Sequence, residues 1–267
     1  MCQMSWGEMW RMMLLDTYRA EICKTSYWDK HASEFNENMA YMDDLTKSQL
    51  DNLPLLPEYT VLDVGAGTGR LTIPLANRVK QVIALEPSKN MLELLKANAQ
   101  KRNLTNIHYI NSSLEDLQAY DYIGLCDVVI ASFSLFMPDV EAALLKIDAL
   151  AKKGVYLFLS ASKWMTEELQ QIIYGETVFN WPDYIYIYNI LHDLGILANV
   201  EVWSYTSTKS FSSINDSVSQ FMELYHISPE KEGKLREYMH QVLVEADGKF
   251  WLRRKMKVAM IWWTKME

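Results

Sequence analysis

Short apolar runs alternate with amphipathic stretches through the middle of the chain. Five apolar runs predict buried strands, at 60–64, 81–85, 106–110, 126–131 and 154–159. Helical spacing is found between them at 69–78, 88–102 and 139–151. Strands that alternate with helices of this length pair in parallel and carry helices on both faces of the sheet. The pattern therefore predicts a doubly wound α/β fold.

The segments that flank this core are mostly helical by the same criterion. Helices are predicted at 6–23, 27–39, 46–52, 165–174, 182–194, 213–225 and 229–244. Gly195 has the residue type that ends a helix in the left-handed conformation. Two further strands are predicted at 199–210 and 255–264.

Composition and charge narrow the class of protein. The 267 residues are 49% apolar, enough for one sizeable core, and the net charge of −8 disfavours a protein that wraps nucleic acid. Cys2, Cys23 and Cys126 lack the spacing of a zinc site or a disulfide framework, which fits a reducing compartment. Glu8 and Arg11 interrupt the apolar start of the chain, which is too short for a membrane helix. We expect a cytoplasmic protein with no membrane partner and no metal.

Two neighbouring motifs carry the candidate chemistry. VLDVGAGTG, Val61–Gly69, is a buried strand followed by glycine at every second position, which allows a tight turn and a close approach to a ligand. VIALEPS, Val82–Ser88, is a second strand that ends on the carboxylate of Glu86. Together they predict a nucleoside-bearing ligand across the carboxyl ends of two adjacent parallel strands.

Two residues decide which ligand is expected. The dinucleotide fingerprint G-x-G-x-x-G would need glycine where the chain has Arg70. The carboxylate of Asp63 would repel a pyrophosphate but suits an ammonium group. S-adenosylmethionine has an ammonium, a sulfonium and a ribose whose hydroxyls the Glu86 carboxylate can accept. We therefore expect S-adenosylmethionine as the cofactor.

The stretch from Tyr27 to Ser160 resembles the class I S-adenosylmethionine-dependent methyltransferases, in their small-molecule (type 11, UbiE-like) branch. The resemblance implies a seven-stranded, mostly parallel sheet of order 3-2-1-4-5-7-6 with the last strand antiparallel. It implies one domain over 1–267, in which 1–52 is an N-terminal helical cap, 53–160 the cofactor-binding core and 161–267 a C-terminal part with substrate-cap helices.

The same resemblance implies a set of cofactor contacts. Asp63 helps to hold the methionine ammonium, Glu86 the ribose hydroxyls, and Met91 lies against the adenine unless it is plain core. Ser113 replaces an aspartate that accepts from the adenine amino group, and Leu114 supplies the next backbone N–H. The remaining expected contacts are Gly65, Ala66, Gly67, Thr68, Gly69, Pro87, Ser132 and, from the Y-W-D-x-x-A-x-x-F lead-in, Tyr27 and Phe35.

The acceptor is the least determined part of the site. ASFSLFMPD, Ala131–Asp139, lacks the (N/D)-P-P-(Y/F) motif of enzymes that methylate adenine or glutamine nitrogens, which favours a small-molecule acceptor. Aromatic residues are frequent after the fifth predicted strand. Aromatic side chains line small-molecule pockets, although packing in the core is the alternative explanation for these residues. The expected substrate contacts are Phe136, Trp164, Trp181, Tyr184 and Tyr188.

Several alternatives stay open. The basic run LRRKMK, Leu252–Lys257, is interpreted as a solvated hairpin turn, with contact to an anionic substrate as the alternative. No histidine lies in a motif, so no catalytic base is assigned. An RNA methyltransferase and a non-catalytic cofactor-binding protein are the competing functions, and a homodimer is possible.

Overall fold

The protein is built on one eight-stranded sheet. The computed structural model describes residues 4–14, 17–39, 42–117, 126–163, 165–177 and 183–265. The strands are β1 (Thr60–Val64), β2 (Gln81–Leu85), β3 (Ile107–Ile110), β4 (Cys126–Ser132), β5 (Ala151–Ser160), β6 (Asn199–Phe211), β7 (Leu243–Ala246) and β8 (Lys249–Thr264).

The sheet order is β3-β2-β1-β4-β5-β8-β6, and β7 pairs with β8. The first five strands are parallel, whereas β8 runs antiparallel to β5, β6 and β7. The predicted fold class is confirmed, and the last strand inserts beside the fifth as expected. The short strand β7 is the addition to the predicted order.

Eleven helices are described, together with a 3₁₀ turn at Pro229–Lys231. They are α1 (Trp6–Leu14), α2 (Thr17–Ile22), α3 (Thr25–Met39), α4 (Asp43–Asp51), α5 (Thr72–Ala76), α6 (Lys89–Gln100), α7 (Val140–Leu150), α8 (Glu167–Tyr174), α9 (Tyr184–Asp193), α10 (Ile214–Leu224) and α11 (Glu232–Val242). None of the described helices is long and apolar enough to cross a membrane.

The predicted ends of several elements hold. The bounds of β1 and β2 agree with the predicted ranges, and Gly195 adopts φ +77° where its N–H bonds the carbonyl of His192 after α9. The helix predicted at 69–78 is shorter because the preceding glycine loop takes its first residues.

The prediction around the basic run is wrong. Leu243–Ala246 form a strand, although a helix is predicted to extend to residue 244, and β8 begins at Lys249 rather than at 255. The hairpin turn is Asp247-Gly248, both at positive φ, which is the dipeptide that two-residue hairpins prefer. Leu252–Lys257 therefore lie inside a strand and do not form a turn.

Three apolar clusters hold the fold together. One face of the sheet is covered by α1, α7 and α9, and the other face by α4, α5 and α6. The third cluster, which we call the cap, joins α8, α10 and α11 to Phe211 and Leu252. The start of β8 extends beyond the end of β5, so the cap stands at the edge where the parallel strands end.

Candidate cofactor site

The loop after β1 is shaped by three glycines. Gly65, Gly67 and Gly69 have φ values of +71°, +54° and +99°, a region that other residue types seldom adopt. The N–H groups of Gly65 and Ala66 donate to the carbonyl of Leu85 at 2.8 and 3.0 Å, which ties the loop to the end of β2. A Cβ at Gly65 would overlap the side chain of Ser134, so this position admits only glycine without rearrangement.

Glu86 stands at the end of β2 and faces this loop. Its side chain is 5% exposed and accepts the backbone N–H of Gly67 and of Ser88, each at 2.8 Å. Burial raises the pKa of Glu86, and these two hydrogen bonds act in the opposite direction. Since a carboxylate has about four acceptor positions, two remain for further donors. The free positions fit two vicinal hydroxyl groups.

Asp63 lies inside β1, directly before the loop. It is 2% exposed and accepts the hydroxyl of Thr72 at 2.6 Å. Burial raises the pKa of Asp63 to about 6, although Thr72 and the nearby Arg70 favour its charged form. The site therefore contains a carboxylate that is ionised at neutral pH and becomes neutral in mildly acidic solution.

Arg70 connects the glycine loop to two elements, α4 and the end of β4, a role that the sequence analysis missed. Its guanidinium donates to Gln49 at 2.6 Å, to Thr46 at 3.2 Å and to the hydroxyl of Ser132 at 2.7 Å. The fully buried Gln49 donates to the same hydroxyl at 3.0 Å. Burial lowers the pKa of Arg70 to about 10, so it stays charged at neutral pH. The sequence signal was an arginine directly after the glycine loop.

The lead-in helix α3 docks on the start of α6. The carboxylate of Asp29 accepts from the hydroxyl of Ser88 at 2.7 Å and from the N–H of Asn90 at 3.1 Å. Ser88 is itself the N-cap of α6, since its hydroxyl accepts from the N–H of Met91. Asp29 of the lead-in motif therefore fixes α3 next to the end of β2.

Phe35 and Met91 lie over the glycine loop. A Cβ built on Gly67 would stand 3.7 Å from the ring of Phe35 and 3.8 Å from the sulfur of Met91. Thr68 has a buried hydroxyl oxygen without a hydrogen-bond partner among the described residues, although its carbonyl accepts from Asn98 at 3.1 Å. The loop thus presents one orphaned polar atom beside an apolar cover.

Aromatic side chains continue from α3 towards the end of β4. The ring of Trp28 lies 5.8 Å from that of Phe35 and 6.4 Å from that of Phe136, with which it stacks. Tyr27 contacts Trp28 and His31, and burial raises its pKa to about 12. Phe133, directly after β4, adopts a φ of +53°, a strained conformation for a bulky residue.

The loop after β3 is held by its own side chains. The hydroxyl of Ser113 donates to Asp116 at 2.8 Å and accepts the N–H of the same residue at 3.0 Å. Leu114 is buried in the core. Asn111 donates to the carbonyls of Glu86 and Pro87, each at 2.9 Å, which joins the ends of β3 and β2.

The predicted substrate residues do not all gather at one place. Phe136 joins the aromatic cluster of α3, but Tyr184 and Tyr188 lie on α9, whose main contacts are with α1, α7 and β8. Tyr188 is 40% exposed. Trp164 and Trp181 lie outside the described residues.

Comparison with known proteins matches the core of the chain to a methyltransferase domain. Residues 61–154 match the family model described as "Methyltransferase domain". The fold matches a structure of the YcgJ protein from Bacillus subtilis, with a TM-score of 0.57 at 14% identity over 83% of this chain and 98% of that one. A putative methyltransferase from Bacillus halodurans C-125 gives a TM-score of 0.58 at 16% identity over 83% and 99%.

Two curated relatives differ in extent. An uncharacterized protein from Haemophilus influenzae is 29% identical over 88% of both chains. A probable ribosomal RNA small subunit methyltransferase A from Methanosphaera stadtmanae is 38% identical, but over only 28% of each chain. The family-model match identifies residues 61–154 as a methyltransferase domain. That range contains both strand-end motifs from which S-adenosylmethionine is predicted as the cofactor.

Proposed function

We propose that this enzyme transfers the methyl group of S-adenosylmethionine to a small-molecule acceptor. The observation that carries the proposal is the aromatic cover of Trp28, Phe35 and Phe136 at the end of β4, next to the cap. Such a cover suits a compact, apolar or planar acceptor. The net charge of −8 disfavours a polyanionic one. In this proposal 1–267 is one domain, with 1–52 and 161–267 enclosing the acceptor above the core 53–160.

The cofactor contacts proposed are those at the strand ends. Glu86 accepts the two ribose hydroxyls at its remaining acceptor positions, and Asp63 holds the methionine ammonium. The buried hydroxyl of Thr68 supplies a polar contact, since it has no partner among the described residues. The proposed set also includes Gly65, Ala66, Gly67, Gly69, Pro87, Met91, Ser113, Leu114, Ser132, Tyr27 and Phe35.

Methyl transfer from S-adenosylmethionine requires little acid–base chemistry from the protein. When bound, the cofactor supplies an activated methyl group on a good leaving group. The residues of this chain then have to hold the acceptor atom at about 3–3.5 Å from the methyl carbon and exclude water. Positioning and exclusion of water provide most of the acceleration. Arg70 and Gln49 keep the end of β4 rigid by holding Ser132. The apolar rings of Trp28 and Phe136 exclude water from the acceptor side.

The experiment uses cofactor carrying a radioactive methyl group. The purified protein is incubated separately with a low-molecular-weight filtrate and with the total RNA of a bacterial extract. We expect label in the filtrate and none in the RNA, and we expect Glu86→Gln to transfer less label than the wild type at the same cofactor concentration. Label that appears in the RNA and is released by ribonuclease would replace this proposal with the RNA alternative.

A further inference from the structure

The basic run Leu252–Lys257 lies beside a gap in the sheet. One edge of β8 pairs with β6 along nearly its whole length. The other edge pairs with β7 up to Leu252 and with β5 from Val258 onward. Between Leu252 and Val258 no described strand pairs with this second edge of β8. The loop after β5 borders the gap, where the hydroxyl of Ser162 accepts the N–H of Lys257 at 2.6 Å.

This gap forms a cleft of about 410 Å³. Its size falls within the range of roughly 300–1,000 Å³ that is common for small-molecule sites. The lining combines the loop after β5, the start of α8 and the middle of β8. Met165 and Met256 provide apolar walls, while Lys163, Glu167, Arg254 and Lys255 provide charge.

The cleft carries an excess of positive charge. Lys163 and Glu167 form an ion pair at 3.2 Å, so their charges offset each other. The described lining residues carry three positive charges and one negative charge, an excess of two in a chain whose net charge is −8. Lys255 lies on the opposite face of β8 from Arg254, so the two side chains do not converge on one group.

Arg254 is oriented towards the cap. Side chains alternate along a strand, so Arg254 shares a face with Leu252 and Met256, both of which are buried in apolar clusters. Its positive charge acts on the hydroxyls of Tyr205 and Tyr225 and lowers the pKa of each, against the larger effect of burial. A guanidinium presents paired donors that match a carboxylate or a phosphate.

The cleft lies on the same edge of the sheet as the cofactor loop. Arg254 lies on β8, three strands away from β1, and neighbouring strands are about 4.8 Å apart, so the separation across the sheet is ~14 Å. The charge of Arg254 and that of Arg70, next to the cofactor loop, both act on the hydroxyl of Tyr205, so the cleft and the loop share a neighbouring side chain. We propose that Arg254 binds an anionic group, a carboxylate or a phosphate, of the methyl acceptor. This inference rests on the proposed small-molecule function.

The test compares two adjacent arginines. The wild-type protein is compared with Arg254→Met and Arg253→Met, which each remove one positive charge at neighbouring positions. Arg253 is the control because it does not line the cleft and lies over the ring of Trp251 at 5.5 Å. Each protein is titrated calorimetrically with benzoate, phenyl phosphate, inorganic phosphate and neutral benzamide, with and without S-adenosylhomocysteine. Thermal unfolding checks that each variant is folded, and Lys255→Met, on the opposite face of β8 from Arg254, provides a second control.

We expect the wild type to bind the aromatic anions and not benzamide. We expect Arg254→Met to weaken that binding about tenfold or more, the scale for a hydrogen bond to a charged group, and Arg253→Met to change it little. Equal loss in both arginine variants, or equal binding of benzamide, would overturn the proposal. Stronger binding of inorganic phosphate than of either aromatic anion would also overturn it, because the site would then bind free phosphate.

The cofactor titrations separate this inference from the function on which it rests. If S-adenosylhomocysteine binds but the affinity for the aromatic anions does not depend on Arg254, the proposed anion site is wrong and the proposed methyltransferase function is unaffected. If S-adenosylhomocysteine does not bind while Arg254 still determines anion binding, the cleft is an anion site but the proposed function is wrong.

Discussion

The carboxylate of Glu86 accepts the backbone N–H of Gly67 at 2.8 Å, so the end of β2 directly contacts the glycine loop of β1. Glu86→Gln keeps the volume but removes the charge, and its amide N–H₂ faces a donor. We expect it to weaken S-adenosylhomocysteine binding by roughly 1–3 kcal/mol, measured by calorimetric titration. Glu93→Gln, on the exposed side of α6, is the matched control and should leave the affinity unchanged. Equal affinities in wild type and Glu86→Gln would remove Glu86 from the site.

Cofactor binding should weaken in acid because of Asp63. The pKa of this carboxyl is raised to about 6, so below pH 6 it is mostly protonated and no longer attracts the ammonium, which stays charged. We expect the affinity for S-adenosylhomocysteine to fall from pH 7 to pH 5. Asp63→Asn should bind weakly, with a flatter pH profile across this range. A flat profile for the wild type would contradict the assignment.

The stability of the ligand-free protein should respond to the same group with the opposite sign. A raised carboxyl pKa means that the native state binds the proton more tightly than the unfolded state, so this group favours folding more as the pH falls from about 6 towards 4. We therefore expect the melting temperature of the wild type to rise relative to that of Asp63→Asn across this interval. A difference in melting temperature between the two proteins that stays constant with pH would show that Asp63 does not titrate between pH 6 and pH 4.

Two glycines with similar backbone angles should differ sharply in their tolerance of alanine. Gly65 and Gly175 have φ values of +71° and +79°, so each alanine variant has about 1–2 kcal/mol of backbone strain. A Cβ at Gly65 overlaps Ser134, whereas one at Gly175 meets nothing within 4 Å. We expect Gly65→Ala to lose cofactor binding and substantially more stability than Gly175→Ala. Chemical denaturation measures the difference, and similar losses would contradict it.

Arg70 should matter more to stability than Arg78, a second arginine that also donates to helix α4. Arg70→Met leaves Gln49 and the hydroxyl of Ser132 without their charged donor in a buried place, which should cost about 2–4 kcal/mol. Arg78→Met removes a donor to the carbonyl of Leu50, but Arg78 is 42% exposed and water can replace it. We expect a loss below about 1 kcal/mol there. Urea denaturation compares them, and equal losses would refute the role of Arg70.

The accuracy of the sequence predictions follows the range of the interactions involved. The apolar runs of β1 and β2 and the glycine loop between them are local patterns, and their predicted positions agree with the structure. The Asp247-Gly248 turn is equally local, but the sequence analysis misses it because it extends the preceding helix to residue 244 and begins the next strand only at 255. That oversight moved the basic run from a strand into a turn.

The sequence by itself determined the positions of β1 and β2 and of the glycine loop between them, and it predicts the class of cofactor, because strand periodicity and glycine spacing act over a few neighbouring residues. Only the tertiary structure decided that Arg70 meets Gln49 and Ser132, and that Arg254 lines a cleft at the end of β5. Arg70 is 21 residues from Gln49 and 62 residues from Ser132 along the chain. Contacts over such separations depend on strand order and register, which no local pattern encodes.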